Sequence, residues 1–147
     1  MRLDTEFFSQ RIQCSRDDKQ ECLYTVRMLL ELASVARDKG MLAMDHMVDA
    51  NPERYASPFL RKAVQMVLDV GEIGLIERAL YATIVASNHV GGKFLNSVII
   101  AETMMALHQR EEIDYIFRFL VPSFFGLDFE PNVVAVYDNF RQMRPKK

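Results

Sequence analysis

The sequence predicts an all-α fold, a single-domain helical bundle or array of six to eight helices. Apolar residues recur at intervals of three and four along most of the chain, which is the pattern of helices with one buried face. No segment keeps the alternation of a half-buried strand. With 147 residues, the chain has the length of one compact domain, residues 1–147, that can bury a core without disulfides or metal.

The first half of the chain predicts a long helix followed at once by a short one. Apolar residues keep helical spacing from Lys19 to Lys39, and Gly40 can supply the left-handed backbone that ends such a helix. Met41 to Val48 then predicts a short helix. Residues 49–58 contain two X-Pro pairs among polar residues, so we expect a loop there.

The second half predicts further helices separated by glycine and proline. Ser57 is a favourable N-cap residue, and Pro58 suits the first helical position. Pro122 and Gly126 are expected to break the chain near its end. The predicted helices are Phe59–Val70, Glu72–Asn88, Lys93–Gln109, Glu111–Leu120 and a last one that begins at Pro131.

The charge balance gives no sign of a nucleic-acid partner. The chain carries 18 basic and 20 acidic residues, for a formal net charge of −2. Such a balance produces no general attraction to nucleic acid or to an anionic membrane. The two cysteines, Cys14 and Cys22, are too few for a disulfide framework, and we expect them to be reduced thiols.

No membrane segment is predicted. The N-terminus lacks the apolar stretch of a signal peptide. The most apolar run, Phe94–Leu107, is interrupted by Asn96, Ser97 and Glu102 and is shorter than the about 20 residues that a membrane-spanning helix needs. We therefore expect a soluble, cytoplasmic protein without an integral membrane span.

Catalytic and cofactor motifs are weak or absent. His46, His89 and His108 belong to no pattern that would complete a metal site or a catalytic triad. The segment "VGGKF" lacks the first glycine and the Ser or Thr of a phosphate-binding loop, so helix-ending glycines are the better interpretation. We expect no cofactor, no metal site and no catalytic residue, and hence a non-catalytic protein.

Two stretches carry a family resemblance. They are "LLELASVARDKGMLAMD" and, after a short polar link, "SPFLRKAVQMVLDVGEIGLIERAL". In order and spacing they resemble the cytoplasmic loop of MotA, a flagellar stator subunit of the MotA/TolQ/ExbB proton-channel family. The resemblance covers residues 29–90. Residues 1–18 would then be a variable N-terminal segment, and residues 91–147 would add further amphipathic helices.

The resemblance implies a site for a protein partner. In the family, a basic residue three positions before the glycine and an acidic residue five after it face the rotor protein FliG. The matching residues here are Arg37 and Asp45, with Lys39, Arg61 and Lys62 as supporting charges. On one continuous helix, Arg37 and Asp45 would be about 12 Å apart along the axis and within roughly 80° of one face. The implied partner is FliG or a stator component.

The chain departs from the family where the channel should be. MotA has four membrane helices, and none is predicted here. The proline that the family places near the start of its third membrane helix is missing after Gly92, and Glu102 interrupts the apolar run. Proton conduction is therefore not implied.

Two other functions stay open on the sequence alone. The apolar segments Phe94–Leu107 and Tyr115–Phe129 could form the interface of a self-associating helical scaffold, a homo-oligomer unrelated to motility. A helical ligand-binding domain or enzyme would instead need a deep pocket lined by His46, His89 or His108 with acidic neighbours.

Overall fold

The computed structural model describes residues 5–143 of the chain, and over that range the fold is all-α, without a strand. This confirms the predicted helical array. Residues 1–4, which belong to the predicted N-terminal segment, and residues 144–147 lie outside the described residues. The helices are α1 Thr5–Ile12, α2 Arg16–Lys39, α3 Met41–Ala50, α4 Pro58–Asp69, α5 Ile73–Ala86, α6 Gly92–His108, α7 (Ile113–Tyr115, π-helical Ile116–Leu120 and Val121–Ser123) and α8 Glu130–Met143.

Helix α6 is the centre of the core. Every residue from Phe94 to Leu107 is buried except Asn96, which is half-buried. Helices α2, α4, α5, α1 and α7 pack around it. The apolar run that the self-association hypothesis uses as an interface is thus covered by the chain itself, because these helices surround α6.

Glu102 is a buried acid in this central helix. Its side chain is 6% exposed, and the Tyr81 hydroxyl of α5 donates a hydrogen bond to its Oε2 atom. The residue that interrupts the apolar pattern therefore serves the α5–α6 contact. Within residues 5–143, no helix is both long enough and apolar enough to cross a bilayer.

The N-terminal part of the chain contains more helix than the sequence predicted. Helix α1 was not expected, yet Phe7 and Phe8 pack on Phe94, with the rings of Phe8 and Phe94 edge to face at 5.4 Å. Helix α2 begins earlier than predicted because the Ser15 Oγ atom accepts the Asp18 amide at 3.1 Å and caps it.

Helix α4 begins as predicted. The Ser57 hydroxyl accepts the Leu60 amide at 3.2 Å, and Pro58 occupies the first turn. The expected break at Pro122 is wrong, because Pro122 lies inside the continuous α7 run. In an α-helix, a proline cannot donate a hydrogen bond to the carbonyl group one turn before it, and its ring collides with that carbonyl. The π-helical turn at Ile116–Leu120 widens the backbone before Pro122. The chain turns instead at Gly126, where φ is +89°.

Both cysteines are free thiols in different surroundings. Cys14 is half-buried, whereas Cys22 is 4% exposed and its Sγ atom lies 3.5 Å from the Gly92 carbonyl oxygen. Burial, with smaller effects from Cys14 and Asp18, raises the pKa of Cys22 to about 12. Burial also raises the pKa of Cys14.

We expect the two thiols to react at different rates with Ellman's reagent. At about pH 8, a thiol with a pKa near 12 is ionised on the order of once in 10⁴ molecules, and only the thiolate attacks. Cys14 should therefore react first, and Cys22 only when the chain opens. Absorbance kinetics on Cys14→Ser and Cys22→Ser measure each thiol alone. Equal rates in the two variants would contradict the burial of Cys22.

Candidate functional site

The corner between α2 and α3 depends on Gly40. Its φ is +99°, its amide donates to the Ala36 carbonyl at 3.0 Å, and its carbonyl accepts the Met44 amide at 3.3 Å. Gly40 thus closes one helix and opens the next. A Cβ added there would meet no atom within 4 Å, so the positive φ and not a lack of space requires glycine.

Helix α3 runs back along α2. Arg54, in the loop after α3, donates from Nε and Nη2 to the two carboxylate oxygens of Glu31 at 2.8 and 2.7 Å. The Tyr55 hydroxyl donates to Glu31 at 3.0 Å. Because Glu31 lies in the middle of α2, these bonds place the end of α3 beside that middle. The straight helical path considered for Arg37 and Asp45 therefore does not describe the corner.

The structure places Arg37, Lys39 and Asp45 on either side of Gly40. Arg37 and Lys39 are exposed in the last turn of α2, and Asp45 is half-buried on α3. The Arg37 guanidinium donates one hydrogen bond to the carbonyl oxygen of Glu111, in the loop after α6. Arg37 therefore ties that loop to α2, in addition to any contact with a partner.

The two remaining predicted residues lie on α4. The Arg61 Nε atom donates to the Tyr55 carbonyl at 3.1 Å, which holds the 51–57 loop against α4. Lys62 is exposed and borders a cavity that also reaches α5 and α6. Arg61 therefore contacts the loop before α4 and Lys62 borders a cavity, whereas Arg37 contacts the loop after α6.

An exposed leucine accompanies the charges at the corner. Leu42 is 61% exposed, and it shares a face of α3 with Asp45 and His46, three and four residues on. The sequence prediction missed it. The signal was available, because Met44 and Val48 define the buried face of this short helix and leave Leu42 outside it. We call Arg37, Lys39, Leu42 and Asp45 the corner surface.

A cavity of about 410 Å³ lies beside the corner surface. Its described lining includes Arg37, His108 and Arg110. The ring nitrogens of His108 lie 3.3 Å from the carbonyl oxygen of Val67, in the last turn of α4, and 3.2 Å from that of Gly71, just beyond the helix. The cavity also borders the C-terminal ends of α2 and α6. Helix C-termini carry partial negative charge, which interacts favourably with cations. Its basic side chains are therefore partly neutralised by the fold.

Arg110 holds an unusual backbone conformation at this cavity. Its φ is +59°, which for a residue with a Cβ costs about 1–2 kcal/mol. The Glu111 amide donates to the Ala106 carbonyl at 3.0 Å and the Arg110 amide to the Leu107 carbonyl at 3.1 Å, the two bonds of a Schellman motif. Arg110 thus occupies the position where helices usually place glycine.

A second cavity, of about 420 Å³, lies between α4, α5 and α6. We call it the α4–α6 cavity. Lys62, His89 and Lys93 border it, and the His89 Nδ1 atom lies 3.3 Å from the hydroxyl of buried Ser97. Among the described residues that line this cavity or the one at the corner, none is acidic.

The enzyme hypothesis required histidines with acidic neighbours in a deep pocket, and these two cavities do not offer that combination. His46 is exposed on α3. Over residues 5–143, no three His, Cys, Asp or Glu side chains are grouped as metal ligands would be. The basic side chains that line the two cavities are suited to binding an anion.

Comparison with known proteins gives no relative. No protein-family model, no curated protein and no solved structure matches the chain. The resemblance to the MotA loop therefore stays a prediction from the residues quoted for it.

Proposed function

We propose that the chain is a non-catalytic protein-binding module whose corner surface docks a partner with complementary charges. The single observation that carries the proposal is Leu42, 61% exposed on the same short helix as Asp45 and close in sequence to Arg37 and Lys39. The resemblance to the MotA loop makes FliG or a stator component the partner to test.

The composition of the corner surface resembles that of a small binding patch. Burying a leucine side chain contributes about 1.5–3 kcal/mol, so Leu42 is the candidate anchor. Charges around such an anchor set orientation and association rate more than affinity. Arg37 and Lys39 would meet acidic groups of the partner, and Asp45 a basic one.

Arg61 and Lys62 are the outer part of the proposed surface. They lie on α4, which contacts α3, and both are exposed. In the proposal they extend the basic side of the patch and contribute through long-range attraction, which salt weakens. Their replacement is therefore expected to slow association more than it speeds dissociation.

Binding to the C-terminal domain of FliG tests the proposal. We expect Arg37→Glu, Asp45→Lys and Leu42→Ala each to weaken binding by about tenfold or more, since about 1.4 kcal/mol is lost with each contact. Leu75→Ala is the matched control, because Leu75 is 52% exposed on α5. Titration calorimetry measures the affinities, and circular dichroism confirms that each variant is folded.

Arg37 needs its own control, because its bond to Glu111 is structural. Arg37→Lys keeps the charge, so it should bind nearly as well as the wild type if charge attracts the partner. Unchanged affinity in both charge reversals, with the fold intact, would remove Arg37 and Asp45 from the site. No binding of the wild type at all would reject FliG as the partner.

Self-association is a second candidate with a specific observation in its favour. Tyr115 and Phe119, four residues apart in α7, are 45% and 60% exposed. In this proposal a second copy of the chain covers them. Light scattering would then give a dimer mass that Phe119→Ser reduces to the monomer, whereas a monomer at every concentration would reject it.

A further inference from the structure

The α4–α6 cavity combines three basic side chains with small polar ones. Lys62 comes from α4, Lys93 from the start of α6 and His89 from the turn between α5 and α6. Within residues 5–143, no ion pair involves either lysine. Two cations that the described fold does not neutralise therefore border one concave volume of about 420 Å³.

Hydrogen-bonding groups line the same volume. Ser57 and Ser87 border it, and so does Asn96. Ser97 is only 5% exposed, and its hydroxyl faces His89 and not the apolar core. A buried hydroxyl on the central helix of the core is costly unless it is hydrogen-bonded, and the contact with His89 supplies a partner for it on the cavity side.

The helix dipoles also favour negative charge here. The N-terminal turn of the 12-residue α4 reaches the cavity with Ser57, Pro58 and Phe59, and α6 reaches it near its own N-terminus with Lys93. Helix N-termini carry partial positive charge. The C-terminal end of α5, with Thr83 and Ser87, also borders the α4–α6 cavity, so two helix N-termini and one C-terminus meet there. At the corner cavity the proportion is reversed, because the C-termini of α2 and α6 meet the N-terminus of α3. The α4–α6 cavity is therefore the better place for an anion.

The remaining wall of the cavity is apolar and suits an apolar part of a ligand. Pro58, Phe59 and Ile100 give the cavity an apolar side. A volume of about 420 Å³ lies within the range of about 300–1,000 Å³ that small-molecule sites occupy. Lys93 also borders a neighbouring cleft that contains Asp18 and Glu21.

We propose that the α4–α6 cavity binds a small phosphomonoester, with the phosphate between Lys62 and Lys93 and an apolar group against Phe59 and Ile100. The doubly charged phosphate matches the two lysines, and Ser57, Asn96 and Ser97, which border the cavity, would supply hydrogen bonds. This site shares Lys62 with the outer part of the proposed docking surface, but docking does not need its other residues His89, Lys93 and Ser97.

Calorimetric titration with phenyl phosphate tests the site, with inorganic phosphate and phenol as partial ligands. We expect saturable binding of phenyl phosphate with a dissociation constant of about 1 mM or below, weaker binding of phosphate and none of phenol. Lys62→Gln and Lys93→Gln should each weaken phenyl phosphate binding by about tenfold, because each removes a charge-assisted hydrogen bond.

Lys39→Gln is the matched control, since Lys39 is an exposed lysine at the end of α2. It should leave phenyl phosphate binding unchanged. No saturable binding to the wild type, or equal weakening by Lys39→Gln and Lys93→Gln, would overturn the proposal. Because Lys93→Gln is expected to keep FliG binding and Arg37→Glu to keep phenyl phosphate binding, failure of one proposal is distinguishable from failure of the other.

Discussion

Replacing Leu95 with alanine is expected to lower the free energy of unfolding by about 3 kcal/mol. Leu95 is fully buried in α6, and Leu→Ala changes in cores cost about 2–5 kcal/mol through lost burial and the cavity left behind. Urea denaturation measures the change. Leu75→Ala is the matched control, because Leu75 is 52% exposed on α5, and it should cost less than about 1 kcal/mol.

The same variant distinguishes an internal core helix from an oligomer interface. If α6 is covered by the chain itself, the loss caused by Leu95→Ala is the same at every protein concentration. If α6 were an interface between copies, wild-type stability would rise with protein concentration, and the variant would weaken that dependence. A concentration-dependent midpoint would contradict the central position of α6.

Replacing Glu31 with alanine is the second large effect that we expect, a loss of roughly 2–3 kcal/mol. Tyr55 is fully buried, and its hydroxyl would lose the Glu31 acceptor, which costs about 1–3 kcal/mol. The ion pair with partly exposed Arg54 adds at most about 1 kcal/mol. Glu31→Gln keeps an acceptor oxygen and should cost less.

A double-mutant cycle separates these contributions. Tyr55→Phe removes the hydroxyl, so the Glu31→Ala, Tyr55→Phe double variant should lose less than the sum of the two single variants. An additive result would contradict the Glu31–Tyr55 hydrogen bond. Because this cluster holds α3 against α2, Glu31→Ala should also weaken binding at the corner surface.

The pKa of Tyr55 makes a further prediction for the same cluster. Burial first, and then the hydrogen bond with Glu31, raise it from 10.0 to about 12. Between these values the unfolded chain binds fewer protons than the folded one, so the free energy of unfolding falls as pH rises, by roughly 3 kcal/mol at most. Cys22 acts in the same direction, so the difference between wild type and Tyr55→Phe isolates Tyr55.

Most of the fold was predicted from residues that act on the backbone close to them in sequence. Ser57 with Pro58 marks the start of α4, and Gly40 marks the corner, because each acts through its own backbone conformation and hydrogen bonds within four residues. Helix α1 was missed because Phe7 and Phe8 are paired with Phe94, far away in sequence. The break expected at Pro122 is wrong because a π-helical turn, Ile116–Leu120, precedes the proline, and helical periodicity does not predict such a turn.

The candidate sites were less accessible from the sequence. The charges of Arg37, Lys39 and Asp45 are visible along the chain, but the return of α3 along α2 depends on the Glu31–Arg54 contact. Lys62 and Lys93 are 31 positions apart, and only the packing of α4 on α6 brings them to one cavity. Helical periodicity predicts which face of a helix is buried, not which helices meet.

Mapping of backbone amide shifts on addition of the FliG C-terminal domain tests the central claim most directly. If the corner surface docks this partner, the largest ¹H–¹⁵N shift changes will lie at Arg37, Lys39, Leu42 and Asp45 and will disappear in Leu42→Ala. Binding that leaves those four amides unchanged and perturbs α7 around Phe119, or no perturbation at saturating partner, would contradict the claim.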